Sequence, residues 1–497
     1  MSIPGLGQIA PQQPTTSTTR TITLRPFWEW RFEVPRSSIP TTNAAISAIG
    51  LGGAGAGGGG ATVRLTSGTA ERDGTELALN RTYTFPRNTQ SKLLTYTGAT
   101  LEVSGAFVDS VAQYPAPEAS PQLPVLNLHF ALQELRAAAA AGGSNHNNNN
   151  TNGGGAPGPR VMICGEKDSG KTTVARTLAA LATRAGGQPL VGSVDPREGM
   201  LALPGTVSAA VFGTVMDVED PAAGFGVSGT PSSGPSAVPV KLPMVYYVGR
   251  ERVDEDVPLW RDLVGKLGSA VRDKFAADEV VREAGLLLDT PAASVAKGDL
   301  EVLTHVVNEF AGGLLGAGRT AGWQLTVTVN IVVVLGSVDL HAELQRRFEN
   351  QRTVHGEAIT LILLDKSDGV AERDKDFMKF TREAAIKEYF FGDAKRTLSP
   401  FTQSVSFDDV AVFRTPDALE RAEVSAEMSH WTLAVMNASV NDPPEVIRQA
   451  PVMGFVAIAD VDEDRRRLKV LSPVSGRLGN RPMIWGRWPE PYINLLG

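Results

Sequence analysis

The chain has 497 residues, 42% of them hydrophobic and 20% charged, with a net charge of −7 and one cysteine. That length is too great for one ordinary core and points to about three domains. The acidic balance excludes a strong global attraction to nucleic acid, so a protein partner is the expectation and any RNA contact needs a local basic patch. A lone Cys164 excludes an internal disulfide and a thiolate metal centre, which fits a reducing compartment.

In chain order, residues 1–19 are polar and rich in Pro and Thr, with no apolar signal-like run, and are expected to be a disordered tail. No stretch of about 18 apolar residues occurs anywhere, so a soluble intracellular protein with no membrane partner is expected. Residues 20–118 alternate apolar and polar positions in short runs: Trp30 to Val34, Thr62 to Leu65 and Arg81 to Phe85. This predicts an N-terminal β domain of sandwich type, interrupted by the Gly/Ala-rich loop Leu51 to Gly60.

Residues 119–396 read as one α/β domain. Leu123 to Arg136 is a helical segment, followed by an Ala-, Gly- and Asn-rich insertion expected over about 138–158. Strand-like runs then alternate with amphipathic stretches: Pro189 to Asp195, Met244 to Val248, Gly285 to Asp289, Val327 to Leu335 and Ala358 to Leu364. The alternation predicts a parallel sheet covered on both faces, with a second disordered insertion at about 222–239. Residues 397–497 return to short strands, clearest at Val452 to Asp460 and Leu468 to Pro473, and predict a small β-rich C-terminal domain.

The chemistry concentrates in Gly165-Glu166-Lys167-Asp168-Ser169-Gly170-Lys171-Thr172, which follows the strand-like run Arg160 to Cys164 and leads into the helix-like run Val174 to Ala180. This is a complete P-loop: glycines let backbone N–H groups turn toward phosphate, Lys171 reaches the β- and γ-phosphates, and Thr172 can hold Mg²⁺. Gly165, Asp168, Ser169, Gly170, Lys171, Thr172 and Thr173 are therefore the candidate nucleotide residues. Val174, Leu178 and Leu181 form a stripe expected to press that helix onto the sheet.

A carboxylate at the carboxyl end of a neighbouring strand is also needed, for Mg²⁺ or for a proton. Asp195 and Asp289 qualify, with Asp195 preferred; either could instead cap a helix or turn. The charged run Asp365 to Arg382 offers Arg373, Lys379 and Arg382 as lid cations, or else is a solvated helix face. His129 and His305 lie in helical patterns and read as satisfied polar residues. No Asn-Lys-x-Asp guanine-reading run is present.

The P-loop, the turn Asp195-Pro196-Arg197-Glu198-Gly199, Pro204 to Ala209, Lys366 to Arg373 and Lys387 to Gly392 together resemble the Clp family of polynucleotide 5′-kinases and pre-mRNA cleavage/polyadenylation subunits. The resemblance extends to Gly74 to Leu77, Leu126 to His129 and Leu471 to Pro473, and so covers nearly the whole chain. It implies that the N-terminal domain packs on an ATP whose adenine is read by Glu29, with a second contact at Gln90 or Lys92. Active kinases of the family carry a Thr/Asn-x-Gly-Trp clasp where this chain reads Asp289-Thr290-Pro291-Ala292-Ala293-Ser294. A missing stacking platform removes roughly 1–3 kcal/mol per base, and Pro291 restricts the backbone there.

The departure resembles the fungal branch. It implies a nuclear ATP-binding structural subunit of the cleavage and polyadenylation machinery, of cleavage factor IA type, without turnover. The partner implied is the subunit that binds the RNA polymerase II tail, alongside other cleavage subunits, with pre-mRNA contact indirect. The alternative is an active polynucleotide 5′-hydroxyl kinase using Lys171, Asp195, Arg373 and Arg382, with Mg²⁺ on Thr172 and Asp195.

Overall fold

The computed structural model describes residues 19–36, 60–143, 157–213, 215–219, 244–310, 329–353, 356–392, 397–414, 419–473 and 481–496. The expected tail 1–18, most of the Leu51 to Gly60 loop, 144–156 of the first insertion and the second insertion at 222–239 lie outside the described residues. The chain groups into two compact units, 1–120 with 218–222, and 121–217 with 223–497.

The first unit contains β1 (Arg20–Leu24), β2 (Glu29–Val34), β3 (Ala61–Gly68), β4 (Glu71–Arg72), β5 (Thr75–Glu76), β6 (Thr82–Phe85), β7 (Thr89–Leu94), β8 (Ala99–Ser104) and β9 (Val108–Ala112). Among the described residues they form two sheets, β1-β8-β3-β6 and β5-β4-β7-β2-β9. Inward residues of both, Leu24, Val63, Leu65, Leu101 and Val103 from one and Trp30, Phe32, Val34 and Leu93 from the other, share one core. Period-two patterning against a facing sheet is what makes this a sandwich.

The second unit opens with α1 (Gln122–Gly143), β10 (Arg160–Gly165), α2 (Lys171–Arg184), β11 (Leu190–Ser193), β12 (Thr206–Val211) and β13 (Met244–Tyr247). It continues through α3 (Val257–Ala277), α4 (Glu279–Ala284), β14 (Leu286–Asp289), α5 (Leu300–Glu309), β15 (Ile331–Leu335), α6 (Val338–Phe348), β16 (Thr360–Leu364) and α7 (Lys375–Phe391). Helix α1 runs past residue 138, where the insertion was expected to begin, because Ala137 to Ala141 are the strongest helix formers. The strands form one sheet, β13-β12-β11-β14-β10-β15-β16.

Alternate residues of β10 feed opposite faces. Val161 and Ile163 pack with Leu128 and Leu132 of α1 and Leu178 of α2; Met162 and Cys164 pack on the side of Leu263 from α3, Val306 from α5 and Leu344 from α6. Leu178 and Leu181 are buried as the stripe on α2 predicted, with Val174 half-buried. Each such burial is worth about 1.5–3 kcal/mol, which holds helices on both faces.

The sheet is parallel from β11 through β16, but β12 runs antiparallel to β11 and β13. The 194–205 connection between β11 and β12 contains no crossover helix, and a parallel neighbour would need one. Strand β13 therefore points the same way as β11. The carboxyl ends of β10, β11, β13 and β14 fall along one edge.

The chain closes with β17 (Phe401–Ser406), β18 (Ala411–Arg414), β19 (Glu420–Arg421), β20 (Thr432–Met436), α8 (Pro444–Arg448), β21 (Val452–Asp462), β22 (Arg467–Ser472) and β23 (Pro482–Trp485), in the sheet β17-β22-β21-β20-β23-β18-β19. One face of it shares a core with Leu203, Tyr247, Ile386, Tyr389 and Phe390 from the preceding α/β part. Hydrogen bonds also cross that seam, among them the Tyr247 hydroxyl donating to the Trp488 carbonyl at 2.8 Å and the Phe455 amide donating to the Tyr389 hydroxyl at 2.9 Å.

Candidate nucleotide-binding site

The P-loop leaves β10 at Gly165 and enters α2 at Lys171. Asp168 and Gly170 take left-handed backbone angles, φ 52° and 92°. Alternating handedness turns successive N–H groups inward and builds an anion nest at the N-terminus of a helix. A Cβ at Gly170 would stand 3.3 Å from Val370 Cγ2, so the loop after β16 rests directly on this glycine. The Lys171 ammonium donates to the carbonyls of Glu166 at 2.9 Å and Gly165 at 3.3 Å, which keeps it within the curl of the loop.

Parallel register brings the carboxylates to the same edge. Ser193 of β11 and Ile163 of β10 are both aligned with Asp289. The Thr172 hydroxyl donates to Asp289 Oδ2 at 2.7 Å, while the buried Asp289 Oδ1 and Ser169 Oγ have no hydrogen-bond partner among the described residues. Burial pushes the Asp289 carboxyl up to about 7, against the pull of Lys171 and Thr172. Asp195, just past β11, accepts from the Arg197 amide at 2.9 Å, and burial with the nearby Glu198 charge pushes it up to about 6.

Burial that penalises a carboxylate, beside an unpaired acceptor oxygen and a threonine hydroxyl, is a donor set that suits a hard divalent cation. Among the described residues there is no group of three or more His, Cys, Asp or Glu poised around a metal. A cation here would complete its shell with phosphate oxygens and water, as Mg²⁺ does at phosphate sites.

Arg373 lies in this constellation. Its guanidinium grips Glu198 with both terminal nitrogens, at 2.9 and 3.4 Å, and its Nε stands 3.8 Å from Asp168 Oδ1. Arg382 is placed differently: it pairs with Glu490, Nε to Oε2 3.1 Å, and its guanidinium lies 4.4 Å from the Trp488 ring centre. Lys379 is exposed and stands 4.0 Å from the half-buried Glu383, one helical turn on. Of the three candidate lid cations, the P-loop is met by Arg373.

The segment after β14 folds back on the P-loop strand. Thr290 Oγ1 donates to the Ile163 carbonyl at 2.9 Å and the Ala293 amide to the Gly165 carbonyl at 3.0 Å. Ala293 is buried where active kinases of the resembled family place the clasp. Thr173 is half-buried in the first turn of α2, its carbonyl accepting from Thr177 Oγ1. His305 meets the Arg261 carbonyl at 3.2 Å, but the buried His129 has no partner at Nδ1 among the described residues, so it is not fully satisfied as expected. Burial and the charges of Arg136 and Arg184 lower His129 to about 4 and keep it neutral.

In the first unit, Glu29 is buried in β2 and receives Lys92 Nζ at 3.1 Å, Arg31 Nε at 2.6 Å and the Tyr114 hydroxyl at 3.0 Å. Burial works to raise its pKa, but Lys92 and Arg31 outweigh it and hold the carboxylate below its ordinary value. Gln90 donates instead to Glu33, at 3.2 Å. Of the two candidates for the second nucleotide contact, Lys92 touches Glu29.

Three family models match in succession: the N-terminal beta-sandwich domain of polyadenylation factor over residues 23–139, the mRNA cleavage and polyadenylation factor CLP1 P-loop over 165–392, and the pre-mRNA cleavage complex II protein Clp1 over 398–490. The mRNA cleavage and polyadenylation factor clp1 of Neurospora crassa is 54% identical, and that of Pyricularia oryzae 48%, each over 100% of both chains. The chain belongs to the Clp1 family of mRNA cleavage and polyadenylation factors. A solved structure titled a wild-type Clp1p–Pcf11p complex shares the fold, with a TM-score of 0.75 and 24% identity over 95% of this chain and 98% of that one. A second, with the same coverage and score, concerns an extended interface between Pcf11p and Clp1p and ATP loss in a point mutant.

Two site residues of this family member escaped the sequence reading. Glu198 was visible only as part of the turn after Asp195, and nothing local says which distant cation it meets. Trp488 donates its indole N–H to the Arg197 carbonyl at 3.4 Å, a contact between residues 291 positions apart.

Proposed function

We propose that the protein is the ATP-binding subunit of the nuclear mRNA cleavage and polyadenylation machinery, holding ATP with Mg²⁺ as part of its structure and not turning it over. The observation that carries this is the P-loop joined to Asp289 through Thr172, with the following Thr290 to Ala293 segment hydrogen-bonded back onto β10 and the P-loop. Gly165, Asp168, Ser169, Gly170, Lys171, Thr172 and Thr173 would cradle the phosphates. Thr172, with Asp289 and Asp195, would hold Mg²⁺, which neutralises phosphate charge. Glu29, held charged by Lys92 and Arg31, would accept from the exocyclic amine of adenine.

An acceptor hydroxyl must be held about 3–3.5 Å from phosphorus, and a misplacement of about 1 Å costs roughly a hundredfold. The Pro291 to Ala293 segment offers no aromatic ring on which to stack an RNA base. The solved relative whose title pairs Clp1p with Pcf11p supports a partner of that kind, and we take the polymerase-tail-binding subunit as the partner, with pre-mRNA contact made through it. The test is twofold: purified protein, denatured and chromatographed, should yield bound ATP rather than ADP, and should not label a 5′-hydroxyl RNA from radiolabelled ATP. Robust labelling that Lys171→Ala abolishes would establish the kinase reading instead.

A further inference from the structure

The loop between β16 and α7 has three attachments near the P-loop. At its root, a Cβ on Gly336 would stand 2.7 Å from Lys366 Cβ, so the chain after β15 leaves no room there. In its middle, Val370 lies on Gly170, immediately before Lys171. Near its end, Arg373 reaches Asp168 in the P-loop and Glu198 in the turn after β11. The first two contacts are van der Waals contacts; the third is a two-pronged, charge-assisted grip, which is the strongest kind of side-chain hydrogen bond. Burial works against the charge of Arg373, but Glu198, Asp168 and Asp289 outweigh it and hold the guanidinium firmly protonated.

Glu198 differs from the other carboxylates of this edge. Both of its oxygens are taken by Arg373, whereas Asp289 keeps one oxygen unpaired and directed into a buried site. The side-chain hydrogen bonds of Glu198 run to Arg373, one on each oxygen. Val370 and Arg373 thus stand at the rim of the P-loop, beside Gly170 and Asp168.

We propose that Glu198 is a positioning residue: by holding Arg373 across the rim of the P-loop, it keeps the 365–374 loop closed over bound ATP and sets the rate at which nucleotide leaves. This rests on the reading that the chain retains ATP, and it assigns that retention to one ion pair. The grip has a chemical signature that a packing role lacks, since a half-exposed ion pair weakens as salt is added.

The experiment uses the full chain loaded with a fluorescent ATP analogue and Mg²⁺, then chased with excess unlabelled ATP. Glu198→Gln keeps the shape and one hydrogen bond but loses the charge, and should release the analogue about tenfold faster than wild type, since a charge-assisted hydrogen bond is roughly twice a neutral one. Wild-type release should quicken between about 50 and 500 mM salt, and Glu198→Gln release should change much less. Arg373→Lys, which keeps the charge but not the fork, should fall between them. Melting of the nucleotide-free variants at the wild-type temperature shows that the fold is intact. Release from Glu198→Gln at the wild-type rate, with the same salt dependence, overturns the proposal while leaving ATP retention standing. Wild type that holds no analogue overturns both.

Discussion

Replacing Asp289 by asparagine separates what this carboxylate costs the fold from what it does for the ligand. Burial raises it from 3.8 to about 7, with Lys171 and Thr172 pulling back and Glu198 and Asp195 adding to the rise. Because the folded value lies above the unfolded one, the protonated form favours folding: that stabilisation is complete below about pH 3.8 and is lost as pH rises through about 7. At 1.36 kcal/mol per unit, keeping this carboxyl in the nucleotide-free fold at pH 8 costs up to about 4 kcal/mol. Asparagine can still accept the Thr172 hydroxyl and carries no charge. Asp289→Asn should therefore stabilise the nucleotide-free protein by up to about 4 kcal/mol at pH 8, about 2 at pH 5 and almost nothing at pH 4. With ATP and Mg²⁺ the order should reverse, because a divalent cation prefers the carboxylate. Urea denaturation at the three pH values, with and without ligand, reads both effects. A variant no more stable than wild type at pH 8 without ligand would refute the reasoning.

Lys171→Ala should lose the thermal stabilisation that ATP gives. Ligand at a hundredfold over its Kd adds about 2.7 kcal/mol to wild type, and a variant whose melting temperature rises equally on adding ATP would show that Lys171 does not bind it. Gly199, at φ +60°, closes the turn that carries Asp195 and Glu198, and a Cβ there would stand 2.3 Å from the Leu203 carbonyl oxygen. Gly199→Ala should cost well beyond the roughly 1–2 kcal/mol of a left-handed alanine and weaken ATP binding as well. Gly186→Ala, with φ +87° and nothing within 4 Å, should cost only the backbone penalty; equal losses in denaturation and ATP titration would refute this account of the turn.

The elements that the sequence displayed well are those whose pattern is local. The P-loop stands between an all-apolar strand and a helix with its stripe, so its position could be read directly, as could the period-two runs of β2, β3 and β6. The antiparallel pair β12 and β13 was not legible as such, because strand direction depends on whether a helix fits between strands and not on the strands themselves. Asp195 and Asp289 were equally visible, each ending an apolar run. Only the register of β14 beside β10 shows that Asp289 is the one that receives the Thr172 hydroxyl. Arg373 and Arg382 sit in one charged stretch, and what separates them is where the turn after β11 and the residues around Trp488 come to rest, each more than a hundred residues away in the chain.

The contacts of Trp488 also bear on how genetic damage would present. Its carbonyl receives the Tyr247 hydroxyl and its indole supports the Arg197 carbonyl, one residue from Glu198 and two from Asp195. A premature stop at codon 488 or in the two codons before it would remove no residue of the P-loop, yet it would take away the strut under the turn that faces it. Such an allele would behave as a nucleotide-site lesion and would group with P-loop alleles in a suppressor screen, not with lesions of the C-terminal sheet that those codons follow.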